Sequence, residues 1–437
     1  MKWTRINCLF ALIAATCGVL GMPADVVAGG GDDEHMAEAI RADSAAAYPE
    51  KLPERDRWES VISFPGDLID LPFEIVFNGT SWAIERIDES RIIPRVIDLL
   101  TFESFRAGFV PVYSSRTGAG MQFFAKGLGS EEAKFSLSLA AGLRDRRCYQ
   151  IRWKRLEPFG GPAKMDFRVR YHILSDERFF GIGTGTAEEL ENDYSHEQTT
   201  GSVSLMIPFN RRVSVDVGIR YDLSTILGGK NPNVPSTTDR FTGETLAGLE
   251  KQLGLVGGSV ALFYDSRNFP GSPSRGMTIR TSAGMMTQTA GSRYGFWKVS
   301  ADVTRYVHLV HNRKLVLRVL AEATDAFTGR EIPFYYLSEL GSEETIRGFK
   351  RGRYRDNDLA AVSFEYRYPI WRIIDALLFV DGGTVVPSLL HDWTLESMHW
   401  GFGGGIRIWN HEGEIVSLKV AKGPELVRVY FSLFSGE

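Results

Sequence analysis

One stretch of the chain, Gly341 to Asp358, has the residue types that form strong ion pairs. It reads GSEETIRGFKRGRYRDND, with arginine, lysine and carboxylate side chains interspersed with glycines. Arginine presents a planar fork that binds both oxygens of a carboxylate, which lysine does not reproduce, and an arginine enclosed by protein needs such a partner. Loops longer than about fifteen residues are uncommon and are usually functional or disordered. The interleaved Phe349 and Tyr354 favour an ordered loop, and a solvated surface loop is the alternative.

Other residues that could support catalysis do not form a recognisable set. Gly181 to Gly185 has the glycine spacing of a phosphate-binding loop but lacks the Lys-Ser/Thr pair and the strand-to-helix context, so a turn is predicted. The pairs His196-Glu197 and His308, His311 have no third metal ligand nearby in sequence. The chain contains no G-x-S-x-G motif. We therefore expect no enzyme, cofactor or metal site, although distant strands of a barrel could still assemble a hydrolase triad.

Two alternating segments flank the charged stretch. Lys314 to Ala323 and Ala361 to Tyr368 each place polar side chains at every second position and apolar ones between them. This period of two predicts strands with one polar and one apolar face. Similar segments recur from Glu103 onward, and their spacing predicts about sixteen strands. Alternation alone suits both a water-soluble sandwich and a membrane barrel.

Three features favour the barrel. Met1 to Ala28 has a positive start, a short apolar run and a small-residue cleavage site, as in an export signal, with a membrane anchor as the alternative. Strands such as Lys251 to Asp265 exceed the length of about ten residues that crosses a membrane. Aromatic residues lie near strand ends, as an interfacial belt requires. Because lipid does not satisfy backbone hydrogen bonds, a sheet that crosses it must close.

The fold class predicted is therefore all-β: a closed antiparallel transmembrane barrel of about sixteen strands with a short helical N-terminal periplasmic extension. The predicted regions are a signal peptide (1–28), a periplasmic linker and amphipathic segment (29–102) and the barrel (103–437). A net charge of −4 over 437 residues removes any electrostatic case for nucleic-acid binding.

Four motifs, in order along the chain, resemble those of the BamA/TamA superfamily of outer-membrane barrels, the bacterial surface-antigen family. The resemblance covers roughly Phe179 to Phe434, and its strongest part falls between the eleventh and twelfth predicted strands. The motifs are Phe179-Phe180-Gly181-Ile182-Gly183, Tyr264-Asp265-Ser266-Arg267 followed by Pro273 and Gly276, Thr345-Ile346-Arg347-Gly348-Phe349, and Phe379-Val380-Asp381-Gly382-Gly383.

The resemblance implies that the loop carrying Ile346, Arg347, Gly348 and Phe349 folds back into the barrel lumen. Its arginine would pair with a carboxylate of the inner wall. We predict Asp381 as the partner of Arg347, with Glu365 as the second candidate. Glu365 lies on the polar face of its strand. The direction of Asp381 is ambiguous from alternation, because it shares a face with two apolar residues, Leu377 and Phe379.

The same resemblance implies a role in inserting or translocating polypeptides at the bacterial outer membrane, with outer-membrane lipid and client outer-membrane polypeptides as partners. The chain departs from the family in having no recognisable POTRA modules before the barrel. The resemblance also implies a weak seam between the first and last strands that allows lateral opening. Pro111 interrupts the first predicted strand and removes one ladder donor, which is compatible with such a seam. A passive channel or structural barrel without insertase activity is the alternative.

Overall fold

The computed structural model describes residues 101–102, 106–114, 116–249, 252–309, 312–371, 373–409 and 413–433. The predicted signal peptide (1–28) and residues 29–100 of the predicted periplasmic segment (29–102) lie outside this part of the chain.

The described strands form one closed antiparallel barrel. Sixteen strands make the wall, each paired with its neighbour in sequence, and the last pairs with the first. This confirms the predicted closed antiparallel barrel of about sixteen strands. The strands are β1 (Ala107–Ser114), β2 (Gly118–Lys126), β3 (Lys134–Ala141), β4 (Arg147–Leu156), β5 (Lys164–Phe179), β6 (Asn192–Pro208), β7 (Val213–Gly228), β8 (Leu253–Asp265), β9 (Gly276–Gln288), β10 (Gly295–His308), β11 (Lys314–Ala326), β12 (Asp358–Trp371), β13 (Ile374–Val386), β14 (His399–Trp409), β15 (Glu414–Lys422) and β16 (Val427–Leu433).

The remaining elements are short. A two-residue strand, Thr101–Phe102, pairs with the start of β1. Ser338–Leu340 pairs with Tyr354–Asp356 in a separate two-stranded sheet. One helix, α1 (Thr237–Arg240), and three 3₁₀ turns (Glu188–Leu190, Phe334–Tyr336 and Leu395–Ser397) complete the described elements. Within these ranges no helix is both long and apolar enough to cross a membrane.

The antiparallel order gives the barrel two distinct ends. Odd-numbered strands finish at one end, which we call the upper end, and even-numbered strands finish at the lower end. The connection between β11 and β12, residues 327–357, belongs to the upper end, and we call it the lumen loop. It contains the charged stretch Gly341 to Asp358.

Alternation divides the wall into an inner polar face and an outer apolar face. On β12, Phe364 is 51% exposed while its neighbour Glu365 is 7% exposed. On the inner face Lys298 pairs with Glu322 at 2.7 Å and Arg318 with Asp302 at 2.6 Å. Exposed apolar side chains of the outer face include Leu139, Tyr149, Ile151, Val217, Ile219, Val260, Phe364, Val380, Phe402 and Val429.

The seam, where β1 meets β16, is much shorter than the other strand contacts. Its one registered pair in the described chain is Tyr113 with Leu433. Tyr113 lies near the upper end of β1 and Leu433 at the lower end of β16, so the two strands overlap only at these tips. The Tyr113 and Phe431 rings, 5.6 Å apart, add a contact. Pro111 lies within β1 opposite Met121.

Candidate functional site in the lumen

The lumen loop has an ordered backbone because glycines and short hydrogen bonds fold it tightly. Gly341 and Gly348 have φ values of +108° and +91°, which side-chain-bearing residues rarely adopt. The Thr345 hydroxyl accepts hydrogen bonds from the Gly341 and Ser342 amides, both at 3.2 Å. The loop's apolar side chains pack with residues of the wall in a buried cluster: Leu340, Ile346, Phe349, Tyr354, Leu359, Ala361 and Val385.

Arg347 lies against both predicted carboxylates. Its Nε and Nη2 donate to the two oxygens of Asp381 at 2.6 and 2.7 Å, and its backbone amide donates to Asp381 Oδ2 at 3.1 Å. Its Nη1 donates to Glu365 Oε2 at 3.1 Å. The three residues are 6%, 1% and 7% exposed, respectively. We call Arg347, Asp381 and Glu365 the arginine lock.

Neighbouring side chains complete the hydrogen bonding of the lock. Ser363 accepts from Arg347 Nη2 at 3.1 Å and donates to Asp381 Oδ1 at 2.6 Å. Arg367 donates to the second oxygen of Glu365. The Phe379 ring lies 3.4 Å from the guanidinium carbon of Arg347. A buried ion pair is stable only when its remaining hydrogen-bonding groups are also satisfied, and this arrangement meets that condition.

The electrostatics keep the arginine charged. Burial lowers the pKa of the Arg347 guanidinium, but hydrogen bonding and charge attraction from Asp381, followed by the charge of Glu365, raise this pKa above its ordinary value. A permanently charged fork with two fixed carboxylates is a positioning device, since it holds a loop in one place without covalent chemistry.

Close backbone contacts press the loop against the last strands of the barrel. A Cβ added at Gly401 of β14 would lie 2.1 Å from the Arg347 carbonyl oxygen. One added at Gly423, between β15 and β16, would lie 2.3 Å from the Gly348 carbonyl oxygen. The Gly348 amide donates to the Tyr430 hydroxyl at 3.0 Å. Arg428 donates to the Phe349 carbonyl at 3.0 Å. The loop therefore bonds directly to β16, one side of the seam.

The connection between β5 and β6 holds the other side of the loop. This connection includes Gly181 to Gly185, for which the sequence predicts a turn. The Gly183 amide donates to the Arg355 carbonyl at 2.7 Å. Arg353 donates to the Thr186 carbonyl at 2.8 Å and to Glu425 at 2.6 Å. The first sequence motif is thus brought against the second half of the charged stretch at the upper end of the lumen.

A second buried polar cluster lies at the lower end and was not predicted. Ser272, in the turn between β8 and β9, accepts hydrogen bonds from Lys314 Nζ at 2.6 Å and Arg407 Nη2 at 2.9 Å, and donates to Asp375 at 3.2 Å. Arg407 also donates to Asp375 at 2.9 Å. The sequence feature that could have indicated this cluster is the presence of three charged residues, Lys314, Asp375 and Arg407, near the lower ends of three strands.

A serine beside a lysine can form a nucleophilic pair, but Ser272 is not placed for that role. Its hydroxyl already accepts two hydrogen bonds and donates one, which uses its full capacity. Ser272 is also only 5% exposed. The cluster anchors the turn in the lower lumen.

Beside the loop a cavity of about 910 Å³ reaches the seam. It is lined by the first part of the charged stretch, by the seam strands and by the opposite wall. Among its lining residues are Tyr113, Arg280, Asp302, Arg318, Glu343, Arg428 and Leu433.

A closed barrel with an arginine-bearing loop held in its lumen belongs to the class of outer-membrane β-barrels that the motifs indicated. Residues 132–411 match the Omp85 superfamily domain. The chain therefore belongs to the Omp85 superfamily, whose members are barrels of the bacterial outer membrane.

Three solved structures are similar to this chain, and the first of them supports the barrel fold. BamA from Haemophilus ducreyi lacking POTRA domains 1–3 has a TM-score of 0.55 and 16% identity over 75% of this chain and 69% of that one. CdiB from Acinetobacter baumannii has a TM-score of 0.47 and 13% identity over 74% of this chain. CdiB from Escherichia coli has a TM-score of 0.49 and 14% identity over 74% of this chain. This chain spans 58% and 61% of the two CdiB chains. No curated protein sequence matches the chain.

Proposed function

We propose that this barrel assists the insertion or translocation of polypeptides at the outer membrane by a non-covalent mechanism. Membership of the Omp85 superfamily supports the general role. The observation that carries the mechanism is that the lumen loop bonds both to the fixed wall, through Arg347 and Asp381, and to the seam strand, through Gly348 and Tyr430.

In this mechanism the arginine lock sets the position of β16. The seam contributes one registered pair, so little backbone hydrogen bonding opposes its separation. The bonds from the lumen loop to Tyr430 and Arg428 supply part of the missing restraint. When the seam separates, the edges of β1 and β16 become available to pair with an incoming extended segment, as exposed strand edges do. No covalent step is required, and we propose that the protein is not an enzyme.

A passive channel is the second candidate, and the lumen cavity beside the loop favours it. At about 910 Å³ the cavity has room for water and ions between the loop and the opposite wall. In this case the arginine lock would hold the lumen loop in the pore and would not control the separation of β1 from β16.

Reconstitution separates the two candidates. The full-length protein is placed in lipid vesicles, and the folding rate of an added outer-membrane barrel client is compared with that in empty vesicles. Acceleration by the wild-type protein supports the insertase, and a changed acceleration in Arg347→Ala supports the part that the lock plays in it. Ion conductance without any acceleration supports the channel and contradicts the proposed function. Lys230→Ala is the matched control, because Lys230 pairs with Asp145 in an exposed ion pair outside the lumen loop.

A further inference from the structure

One part of the lumen wall carries many more cations than carboxylates. Inward-facing positions of β3, β4 and β5 in the lower half of the barrel hold six cations, all partly exposed to the lumen. One of them, Lys164, pairs with Glu157 and with Glu132, the latter at 3.2 Å. Asp166 is the carboxylate at inward positions of the same stretch, and the Arg152 guanidinium donates to it at 3.2 Å. We call the surface formed by the other five cations the basic wall, and these are Lys134, Arg152, Lys154, Arg168 and Arg170.

The register places like charges directly opposite one another. Lys134 pairs with Lys154 across β3 and β4, and Arg152 pairs with Arg168 across β4 and β5. Directly opposed like charges destabilise a sheet. The positive charges of Arg152, Arg168 and Lys134 all act on Lys154, and the negative charge of Asp166 opposes them. An arrangement that is unfavourable for the sheet itself is expected where an external anion compensates it.

The hydrogen bonding of two of these arginines is also incomplete. The Nε atoms of Arg152 and Arg170 are buried and have no hydrogen-bond acceptor within the described chain. A buried charged donor without a partner is costly, so these two guanidinium groups add to the unfavourable electrostatics of the wall.

The opposite wall lacks this imbalance. Lys298 of β10 has Glu322 of β11 at 2.7 Å, and Arg318 of β11 has Asp302 of β10 at 2.6 Å. The lower cluster likewise pairs Arg407 with Asp375 at 2.9 Å. The excess of positive charge is therefore a local property of β3 to β5.

We propose that the basic wall binds an acidic polypeptide segment in extended conformation, which identifies a substrate class for the proposed function and rests on it. Arg168 and Arg170 are two residues apart on one strand, about 6.8 Å along it. Alternate side chains of an extended peptide have the same spacing, so carboxylates at every second position match the cations. The wall faces the lumen and not the lipid, which favours a polypeptide over a lipid headgroup.

Peptide binding to the full-length barrel in nanodiscs tests this inference. The probe is a fluorescent twelve-residue peptide that alternates Glu and Ser, and its comparison peptide has Gln in place of Glu. We expect the Glu peptide to bind, with an affinity that falls as salt rises. In Arg168→Gln/Arg170→Gln we expect an affinity roughly tenfold weaker, as the loss of two exposed charge contacts predicts.

The matched control is Lys298→Gln/Arg318→Gln, which removes the same charge from the opposite wall and should change the affinity less than about twofold. If Arg168→Gln/Arg170→Gln does not fold, Lys134→Gln/Lys154→Gln tests the same wall. Equal binding of the Gln peptide, or wild-type affinity in the wall variants, overturns the inference. Client folding measured in parallel keeps the two proposals apart: absence of acceleration by the wild-type protein contradicts the insertase role, whatever the peptide affinities are.

Discussion

At the scale of single residues, the lock depends on geometry as much as on charge. Asp381 accepts two parallel hydrogen bonds from Arg347 and a third from its backbone amide. A lysine would retain the charge but not the paired hydrogen bonds, and its single ammonium group would leave one carboxylate poorly satisfied. The most informative substitutions at Arg347 therefore compare a residue that keeps the charge but not the paired hydrogen bonds with one that removes both.

We predict that Arg347→Ala destabilises the barrel by about 3–5 kcal/mol, because it leaves buried Asp381 without its cation. Arg347→Lys should restore only part of this loss. Urea-dependent unfolding in lipid vesicles measures both changes. Lys230→Ala, which breaks an exposed pair with Asp145 outside the lumen loop, should cost less than about 1 kcal/mol. Equal effects of Arg347→Ala and Lys230→Ala would show that the lock contributes little to stability.

Ser272 provides a second prediction at this scale. Ser272→Ala removes a hydroxyl that bonds to Lys314, Arg407 and Asp375, so we expect a loss of about 1–3 kcal/mol in unfolding free energy. Because this hydroxyl is saturated and buried, the wild-type protein should not react with a fluorophosphonate probe. Labelling that disappears in Ser272→Ala would identify a nucleophile and contradict the proposal that the protein is not an enzyme.

At the scale of elements, the lumen loop is held by close contact with β14 as well as by the lock. We predict that Gly401→Ala displaces the loop, because its Cβ would lie 2.1 Å from the Arg347 carbonyl oxygen. The displaced loop should become cleavable by added protease and the ion conductance should rise. Gly201→Ala is the control, since a Cβ there meets nothing within 4 Å. Unchanged protection in Gly401→Ala would mean that β14 adjusts and the contact does not hold the loop.

Alternation and motif order predicted the elements well, but not every side chain within them. The direction of Glu365 follows from its polar strand face. The direction of Asp381 does not follow from alternation, because its strand face also carries the apolar residues Leu377 and Phe379. These also point inward, where Phe379 contacts Arg347. The inner face is partly apolar because the lumen loop brings Ile346 and Phe349 into the barrel. The Ser272 cluster joins a turn to three strands distant in sequence, which no local pattern encodes.

At the scale of the whole molecule, barrel closure differs from the other strand contacts. Strands within the wall pair over most of their length, as β5 and β6 do from Lys164 to Phe179. The seam pairs at Tyr113 and Leu433 in the described chain. The sequence could not predict this offset, because shifting a strand by two residues preserves its inner and outer faces. Because of this offset, the barrel is held together by the fewest strand contacts where β1 meets β16, and β16 is the strand to which the lumen loop bonds.

This arrangement predicts that locking the seam stops function without unfolding the barrel. Residues paired in an antiparallel ladder have Cα atoms about 4.5–5.5 Å apart, within the range that a disulfide bridges. In a Cys148→Ser background, oxidised Tyr113→Cys/Leu433→Cys should lose client-folding acceleration, and reduction should restore it. Val110→Cys/Gln122→Cys cross-links a registered pair of β1 and β2 away from the seam and should leave acceleration unchanged. Full acceleration by the oxidised seam variant would mean that clients are assisted without separation of β1 from β16.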